Sequence, residues 1–462
     1  MTINSILKTL LKIKGATVDK TDFRENRLGE IELVVHVHPS RKHKWRCPVC
    51  GRKCNVHDYL CDENYWRSMD FGPTPVWIGA RVPRVKCPEH GVHTAEVPWA
   101  KHNSGFTLDF AFSVAWLVKA NVNRTRIAER FRIDFKTVAR LVDLAWHELE
   151  PDPAKRFDNL EFIGIDETSY TKGHNYITVV VNHVTNTVIW VGKGHGKDVL
   201  DQFFKLLTPA QRASIKAVTG DGAKWITASV EEYCPNAVRC LDPFHVIEWA
   251  NGSLDSIRVD AWRRALESLK CMIRESKRKK YERESDEIKE MRKHVDKIKH
   301  SKYALGKNPE NLTEKQKERL AMIQSEDPLI ARGHALKESL RHVFKLRDPE
   351  LAEEYLDKWI SHAQRCRIPA FVELQRKIRR NREYIINTVK YGLSNARIEA
   401  TNNKIKLLIR IAYGFRNIDT LISFVMLFYS SIKIPWPRNI AQTPVNKGSS
   451  DSTRAAKKAS DF

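Results

Sequence analysis

Three carboxylates far apart in the chain, Asp166, Asp221 and Glu399, stand where a metal site would need them. Asp166 lies inside Glu161-Phe-Ile-Gly-Ile-Asp166-Glu-Thr-Ser169, an apolar run that reads as a buried strand. Asp221 ends a second such run, Ile215-Lys-Ala-Val-Thr-Gly-Asp221-Gly222, and Glu399 opens a long helical pattern. An ionised carboxylate on a strand core is costly unless a positive partner holds it. A pair of Mg²⁺ or Mn²⁺ ions would do so, and two-metal sites cut or join phosphodiester bonds. Asp166 on a central strand can bridge both ions, Asp221 at an adjacent strand end can hold one, and Glu399 can close the other. Glu167, next in the strand, points to the opposite face. Glu399, Asn402, Asn403 and Lys406 fall on neighbouring helical turns, so one face can offer groups to DNA phosphates as well.

Two further constellations precede these acids. Cys47-Pro-Val-Cys50 and Cys87-Pro-Glu-His90 are close-spaced pairs that together give a Cys₃His set. Four such ligands make a closed tetrahedral zinc site, which is structural and not catalytic. Cys54, His57, Cys61 and His93 are rival ligands. Downstream, Asn123 to Phe131, a break at Arg132-Ile-Asp134, and Phe135 to Trp146 read as a helix-turn-helix. Ala128, Ile133, Val138 and Leu141 have the spacing that packs two crossed helices. Phe135, Lys136, Thr137 and Arg140 would face the major groove, with Arg124 and Arg126 as further DNA-binding cations. Arg132 stands where such turns often carry glycine.

The elements that must position these groups follow from periodicity. After a short helical pattern, Glu30 to His38 alternates as a strand. The stretch from about 41 to 105, rich in Cys, Pro, Gly, His and Trp, completes an N-terminal zinc-binding module spanning 1–105. Helical spacing governs an all-α helix-turn-helix domain at 106–150, ended by Pro151-Asp-Pro153. The period then changes. Phe162 to Ile165, Tyr176 to Asn182 and Thr187 to Gly192 form a three-strand meander. Helix, strand, helix and strand follow, to Leu241. That makes 158–245 an α/β layer on a mixed five-stranded sheet. Residues 246–387 are almost wholly helical, and the charged helices from Arg263 to Lys302 offer cations to a nucleic-acid backbone. An apolar helical segment at 388–435 carries Glu399, and a tail at 445–462 has the composition of disorder.

Composition narrows the partners. The 462 residues hold 79 Lys and Arg against 56 Asp and Glu, a net charge of +23 spread along most of the chain. Such an excess points to a polyanion. There is no run of 18 apolar residues, which excludes a membrane-spanning helix, and the start lacks a leader's apolar core, so export is not expected. Of nine cysteines, four fall between Cys47 and Cys61, which in a cytoplasmic protein argues for metal before disulfides.

The blocks Gly164-Ile-Asp166-Glu-Thr-Ser169, Thr219-Gly-Asp221-Gly222, Asp242-Pro-Phe-His245 and Ser394-Asn-Ala-Arg-Ile-Glu399-Ala-Thr-Asn402-Asn403-Lys404, followed by Ala412-Tyr-Gly-Phe-Arg-Asn417, resemble the ISL-three family of bacterial insertion-sequence transposases. The resemblance covers nearly the whole chain in the same order. It implies a zinc-binding module, a helix-turn-helix, and a DDE catalytic domain of RNase H-like fold in which 246–387 is a helical insertion. It implies Asp166, Asp221 and Glu399 as the DDE residues, with Asp242 and His245 supporting them. The expected activity is Mg²⁺-dependent cleavage at the element's terminal inverted repeats, then attack of the freed 3′ hydroxyl on target DNA. A homodimer or larger assembly on double-stranded DNA is expected, in the bacterial cytoplasm at the nucleoid. Two rivals stand beside it. One is a structure-selective nuclease on the same fold. The other is a zinc and helix-turn-helix regulator with an inactive catalytic domain.

Overall fold

The computed structural model describes residues 4–435, apart from residues 5, 8–10, 12, 14, 28, 41–42, 60, 279–284 and 394–395. The tail expected at 445–462 lies outside the described residues. The chain divides into two compact units, residues 1–152 with 408–462, and residues 153–407. No helix among the described residues is long and apolar enough to cross a membrane.

Among the described residues, the first unit has seven strands: β1 (Ala16–Glu25), β2 (Ile31–Pro39), β3 (Asn55–Tyr59), β4 (Asn64–Phe71), β5 (Thr74–Ala80), β6 (Pro83–Cys87) and β7 (Gly91–Thr94). They make a four-stranded sheet ordered β1-β2-β5-β4 and a separate three-stranded sheet ordered β3-β6-β7. The segment from 41 to 105 is thus far richer in strand than its Cys, Pro and Gly content suggests. The reason is a core of its own. Val35, Val76 and Ile78 are fully buried with Trp66, Val85 and Trp99, so the sheets do not depend on metal alone.

Three helices follow: α1 (Leu108–Lys119), α2 (Arg124–Phe131) and α3 (Phe135–Leu149). Asn123 and Asp134 cap α2 and α3 by accepting the Thr125 and Lys136 amides. Between them Arg132 adopts the left-handed conformation, φ 54°. Its guanidinium donates to Asp70 at 2.8 Å, and Asp70 is buried and also receives Arg67 and Arg130. An arginine replaces the usual glycine because its charge is used there.

The second unit holds the expected five-stranded sheet. Its strands are β8 (Phe162–Thr171), β9 (Asn175–Asn182), β10 (Thr187–Lys193), β11 (Ala217–Gly220) and β12 (Val238–Leu241). The order is β10-β9-β8-β11-β12. β8, β9 and β10 are antiparallel neighbours, while β11 runs parallel to both β8 and β12. Helices α4 (Lys197–Leu206), α5 (Pro209–Ser214) and α6 (Lys224–Tyr233) connect the later strands. Alternation on β8 splits its side chains. Ile163 and Ile165 join a core with Leu200, Phe203, Phe204 and Ile226, leaving Gly164 and Asp166 on the other face.

From α7 (Pro243–Arg278) the described chain is helical, through α8 (Asp286–Lys299), α9 (Lys302–Gly306), α10 (Glu314–Glu326), α11 (Pro328–Val343), α12 (Pro349–Arg365), α13 (Pro369–Arg380) and α14 (Arg382–Tyr391). These helices share a core around Leu254, Leu336, Leu340, Leu356 and Phe371. α14 returns to the sheet, where Asn387 and Thr388 donate to the Arg239 and Leu241 carbonyls of β12. α15 (Ala396–Ile411) carries Glu399, and the division between units falls inside it, after Leu407. The last helix among the described residues, α16 (Ile418–Tyr429), belongs to the first unit, where Ser423 donates to Asp143 of α3 at 2.6 Å. Of the segment 388–435, the residues after Leu407 are counted with the first unit. The apolar face of α16, with Leu421, Phe424 and Val425, is buried in that first unit.

Candidate active site and metal centre

Strand register places the acids. Thr219 of β11 pairs with Gly164 of β8, and Gly220 pairs with Leu241 of β12. Continuing both registers brings Asp221 opposite Asp166 on one side and opposite Asp242 on the other. Adjacent strands lie about 4.8 Å apart, so three aspartates form a row across the strand ends. Asp242 is buried, and its Oδ1 accepts the Phe244 amide at 3.3 Å, which starts α7. The Asp221 carboxylate accepts the Ala223 amide at 2.9 Å, turning the chain into α6.

Asp166 is held from two sides. Its Oδ1 accepts the Glu167 amide at 2.8 Å, and its Oδ2 accepts Asn402 Nδ2 of α15 at 2.7 Å. Burial pushes its carboxyl above the usual carboxylate range; the Glu167 amide and His245 oppose that, and Asp242 and Asp221 add to it. Asn402 is buried, and its Oδ1 has no hydrogen-bond partner. Glu399 is exposed on α15, three residues before Asn402 and so on the same face one turn away. Lys406, one turn beyond Asn402, is also exposed. His245 lies half-buried on α7, 3.9 Å from Asp242 and 3.3 Å from Glu248.

α15 can approach this face because position 164 is glycine. A Cβ there would fall 2.0 Å from Ile398 Cδ1, 2.7 Å from His183 Nε2 and 2.9 Å from Thr219 Oγ1. Glu167 faces away from Asp166, as alternation requires, and burial raises its carboxyl too.

The sequence reading missed Arg239. It is buried on β12 and donates to the Val218 carbonyl at 2.9 Å and the Asp221 carbonyl at 3.0 Å. An arginine within the short apolar run Val238-Arg-Cys-Leu241 was the available signal. A row of three carboxylates with an orphaned amide oxygen beside it suits a hard divalent cation, which takes oxygen ligands.

The second centre lies in the first unit. Among the described residues, Cys47, Cys50, Cys87 and His90 are the one group of metal-ligand types whose donor atoms all lie within 4.8 Å of one another. Cys50 Sγ is 3.8 Å from Cys87 Sγ, and Cys87 Sγ is 3.5 Å from His90 Nδ1. Zinc bond lengths in a regular tetrahedron give edges of about 3.8 Å between sulfurs and about 3.5 Å from sulfur to nitrogen. The donor set fits structural zinc. Cys54 Sγ instead donates to the Arg52 carbonyl at 3.4 Å, and Cys61 is exposed.

The helix-turn-helix cations divide. Arg126, Lys136 and Arg140 are exposed. Thr137, expected at the groove, is buried, and its hydroxyl accepts Arg140 Nη2 at 2.7 Å. Its place in the first turn of α3 turns it into the core beside Val138. Arg124 departs further. Its guanidinium stacks 4.5 Å from the Phe135 ring centroid, 5.0 Å from Phe415 and 5.8 Å from Phe424. Three aromatic rings hold it in the fold, and burial lowers its pKa.

Comparison with known proteins gives matches along most of the chain. Residues 163–425 match a family model described as "Transposase". Residues 95–146 match the helix-turn-helix domain of transposase family ISL3, and residues 43–90 the zinc-finger of transposase IS204/IS1001/IS1096/IS1165. The transposase for insertion sequence element IS1557 of Mycobacterium tuberculosis is 41% identical over 424 residues, covering 91% of this chain and 94% of its own. The transposase for IS1001 of Bordetella parapertussis is 24% identical over 428 residues, covering 88% and 92%.

Proposed function

The chain belongs to the ISL3 family of insertion-sequence transposases, and on that premise we propose that it cuts and joins DNA at the ends of its own element, with Asp166, Asp221 and Glu399 as the acids of the reaction. One observation carries this reading: Asp166 sits half-buried in a row with Asp221 and Asp242 while the helix of Glu399 donates to it through Asn402. A sheet of three antiparallel strands continued by two parallel ones, with the acids at the parallel strand ends, supports an RNase H-like catalytic core.

Asp166, Asp221 and Glu399 would hold two Mg²⁺ or Mn²⁺ ions, whose chemistry is to lower the pKa of the attacking water or 3′ hydroxyl and stabilise the leaving oxygen. The residues do the positioning. Asn402 and the Glu167 amide orient the Asp166 carboxylate by one hydrogen bond to each oxygen, leaving lone pairs on both. Arg239 fixes the Asp221 backbone from beneath. Asp242, at the end of the row, and His245 beside it act as supporting groups. The zinc module and helix-turn-helix bind the terminal repeats, with Arg126, Lys136 and Arg140 as the accessible cations. Two ends must be paired, so the working species on DNA is at least a dimer.

The test uses the purified full chain, Mg²⁺, and a DNA fragment carrying the gene with its natural flanks. Joining to a plasmid by the wild type and not by Asp221→Ala is the expected result. Cutting without joining would favour a nuclease. Specific binding with no chemistry from either protein would favour a regulator.

A further inference from the structure

Next to the aspartate row lies a cationic pair that the acids do not account for. Gly222 follows Asp221, and the Trp249 ring of α7 stands against it: a Cβ on Gly222 would come 2.8 Å from Trp249 Cζ2. The other partner of that ring is Lys377 of α13, whose Nζ is 3.5 Å from the ring centroid. This is close cation–π contact and fixes the ammonium at the edge of the row. Burial and Arg380 push the Lys377 ammonium below the usual lysine range, while Asp221 and Glu248 pull it back.

The neighbouring cations behave differently. Arg376 pairs with Glu373, and Arg382 pairs with Asp357 and Glu353. Among the described residues no carboxylate lies within 4.0 Å of Lys377 or Arg380, which stand one turn apart on the same face of α13. Two like charges in that relation repel, and one of them is partly desolvated. The arrangement is unfavourable until an anion arrives. Asp221 and Glu248 act on Lys377 from beyond ion-pair distance, and among the described residues no carboxylate pairs directly with either cation.

We propose that Lys377, braced by Trp249, together with Arg380 grips the phosphodiester backbone of the DNA strand beside the Asp166–Asp221–Asp242 row. This rests on the DNA-cutting function proposed above. Lys377 would set the strand's depth against Asp221, and Arg380 would take the next phosphate outward.

The experiment measures binding of the full chain to a duplex carrying an element end across a range of salt. Variants are Lys377→Met, which keeps an apolar stem on Trp249, Lys377→Arg, which keeps the charge, and Arg380→Gln, which alters an exposed residue. Each lost phosphate contact flattens the log K against log salt slope by about 0.9. The expected result is that flattening for Lys377→Met and Arg380→Gln, an unchanged slope for Lys377→Arg, and unaltered melting midpoints. A full wild-type slope in Lys377→Met and Arg380→Gln would overturn the proposal and leave Lys377 as a brace for Trp249. Cutting and joining are scored on the same samples. Normal slopes changes with no cleavage by the wild type would refute the catalytic reading alone, while normal cleavage with unchanged slopes would refute the phosphate grip alone.

Discussion

Gly164→Ala is the sharpest perturbation of the seat of α15 on β8. The new Cβ would lie 2.0 Å from Ile398 Cδ1, whereas carbon atoms rest about 3.5–4.0 Å apart. Ile398 is fully buried, and His183 and Thr219, joined by a 2.6 Å hydrogen bond, close the other side. Relief therefore requires the buried Ile398 side chain to repack or α15 to rise from the sheet, and overpacking of this kind costs about 1–3 kcal/mol. Ile398→Val removes the clashing methyl and by itself costs about 0.5–1.5 kcal/mol. Because Cδ1 is the closest obstacle, the double variant should be more stable than the sum of the singles by about 1 kcal/mol. Relief stays partial, since His183 and Thr219 remain. Urea unfolding of the full chain, with hydrogen exchange of β8 peptides to assign the loss to the second unit, measures each corner of the cycle. A displaced α15 also carries Asn402 and Glu399 away from Asp166, and an error of about 1 Å can cost on the order of 10²-fold in rate. Strict additivity of the two substitutions, or a Gly164→Ala protein as stable and as active as wild type, would refute the placement of α15 on this face.

Metal analysis should find one zinc per chain; Cys47→Ala or Cys87→Ala should lose it and destabilise the first unit, while Cys54→Ala should keep it. In the helix-turn-helix, Lys136→Ala should weaken DNA binding and flatten its salt dependence, whereas Arg124→Ala should lower stability by about 0.5–2 kcal/mol through its lost ring contacts, read as a lower melting midpoint. Burial lowers the pKa of His334 in α11 to about 4, from an ordinary value of 6.5. The unfolded chain then binds a proton between those values that the folded chain does not. Stability is full above pH 6.5 and falls by on the order of 3 kcal/mol as pH drops to about 4, with little further loss from this group below that. His334→Gln should flatten that window in urea titrations at pH 4.5 and 7.

What the sequence determines here is local. Helix breaks at Asn123, Arg132 and Asp134 are legible because caps and left-handed turns are made by a residue and its immediate neighbours. The β8–β10 meander and the paired spacing of Cys47, Cys50, Cys87 and His90 are legible for the same reason. Alternation even separates Asp166 from Glu167. What the tertiary structure decides is which distant residues meet. The aspartate row depends on β11 pairing in parallel with both β8 and β12, a register closed only by contacts across long loops. Asp242 and Arg239 enter the site through that register, and Asn402 through the fit of α15 over Gly164. Thr137 and Arg124 show the converse. Their sequence positions suit a DNA-facing helix, but Phe415 and Phe424, almost 300 residues later, enclose Arg124, and burial claims Thr137. The apolar α16 likewise reads the same whichever sheet or helix it covers. Periodicity reports that a face must be buried; only packing across the chain decides against what.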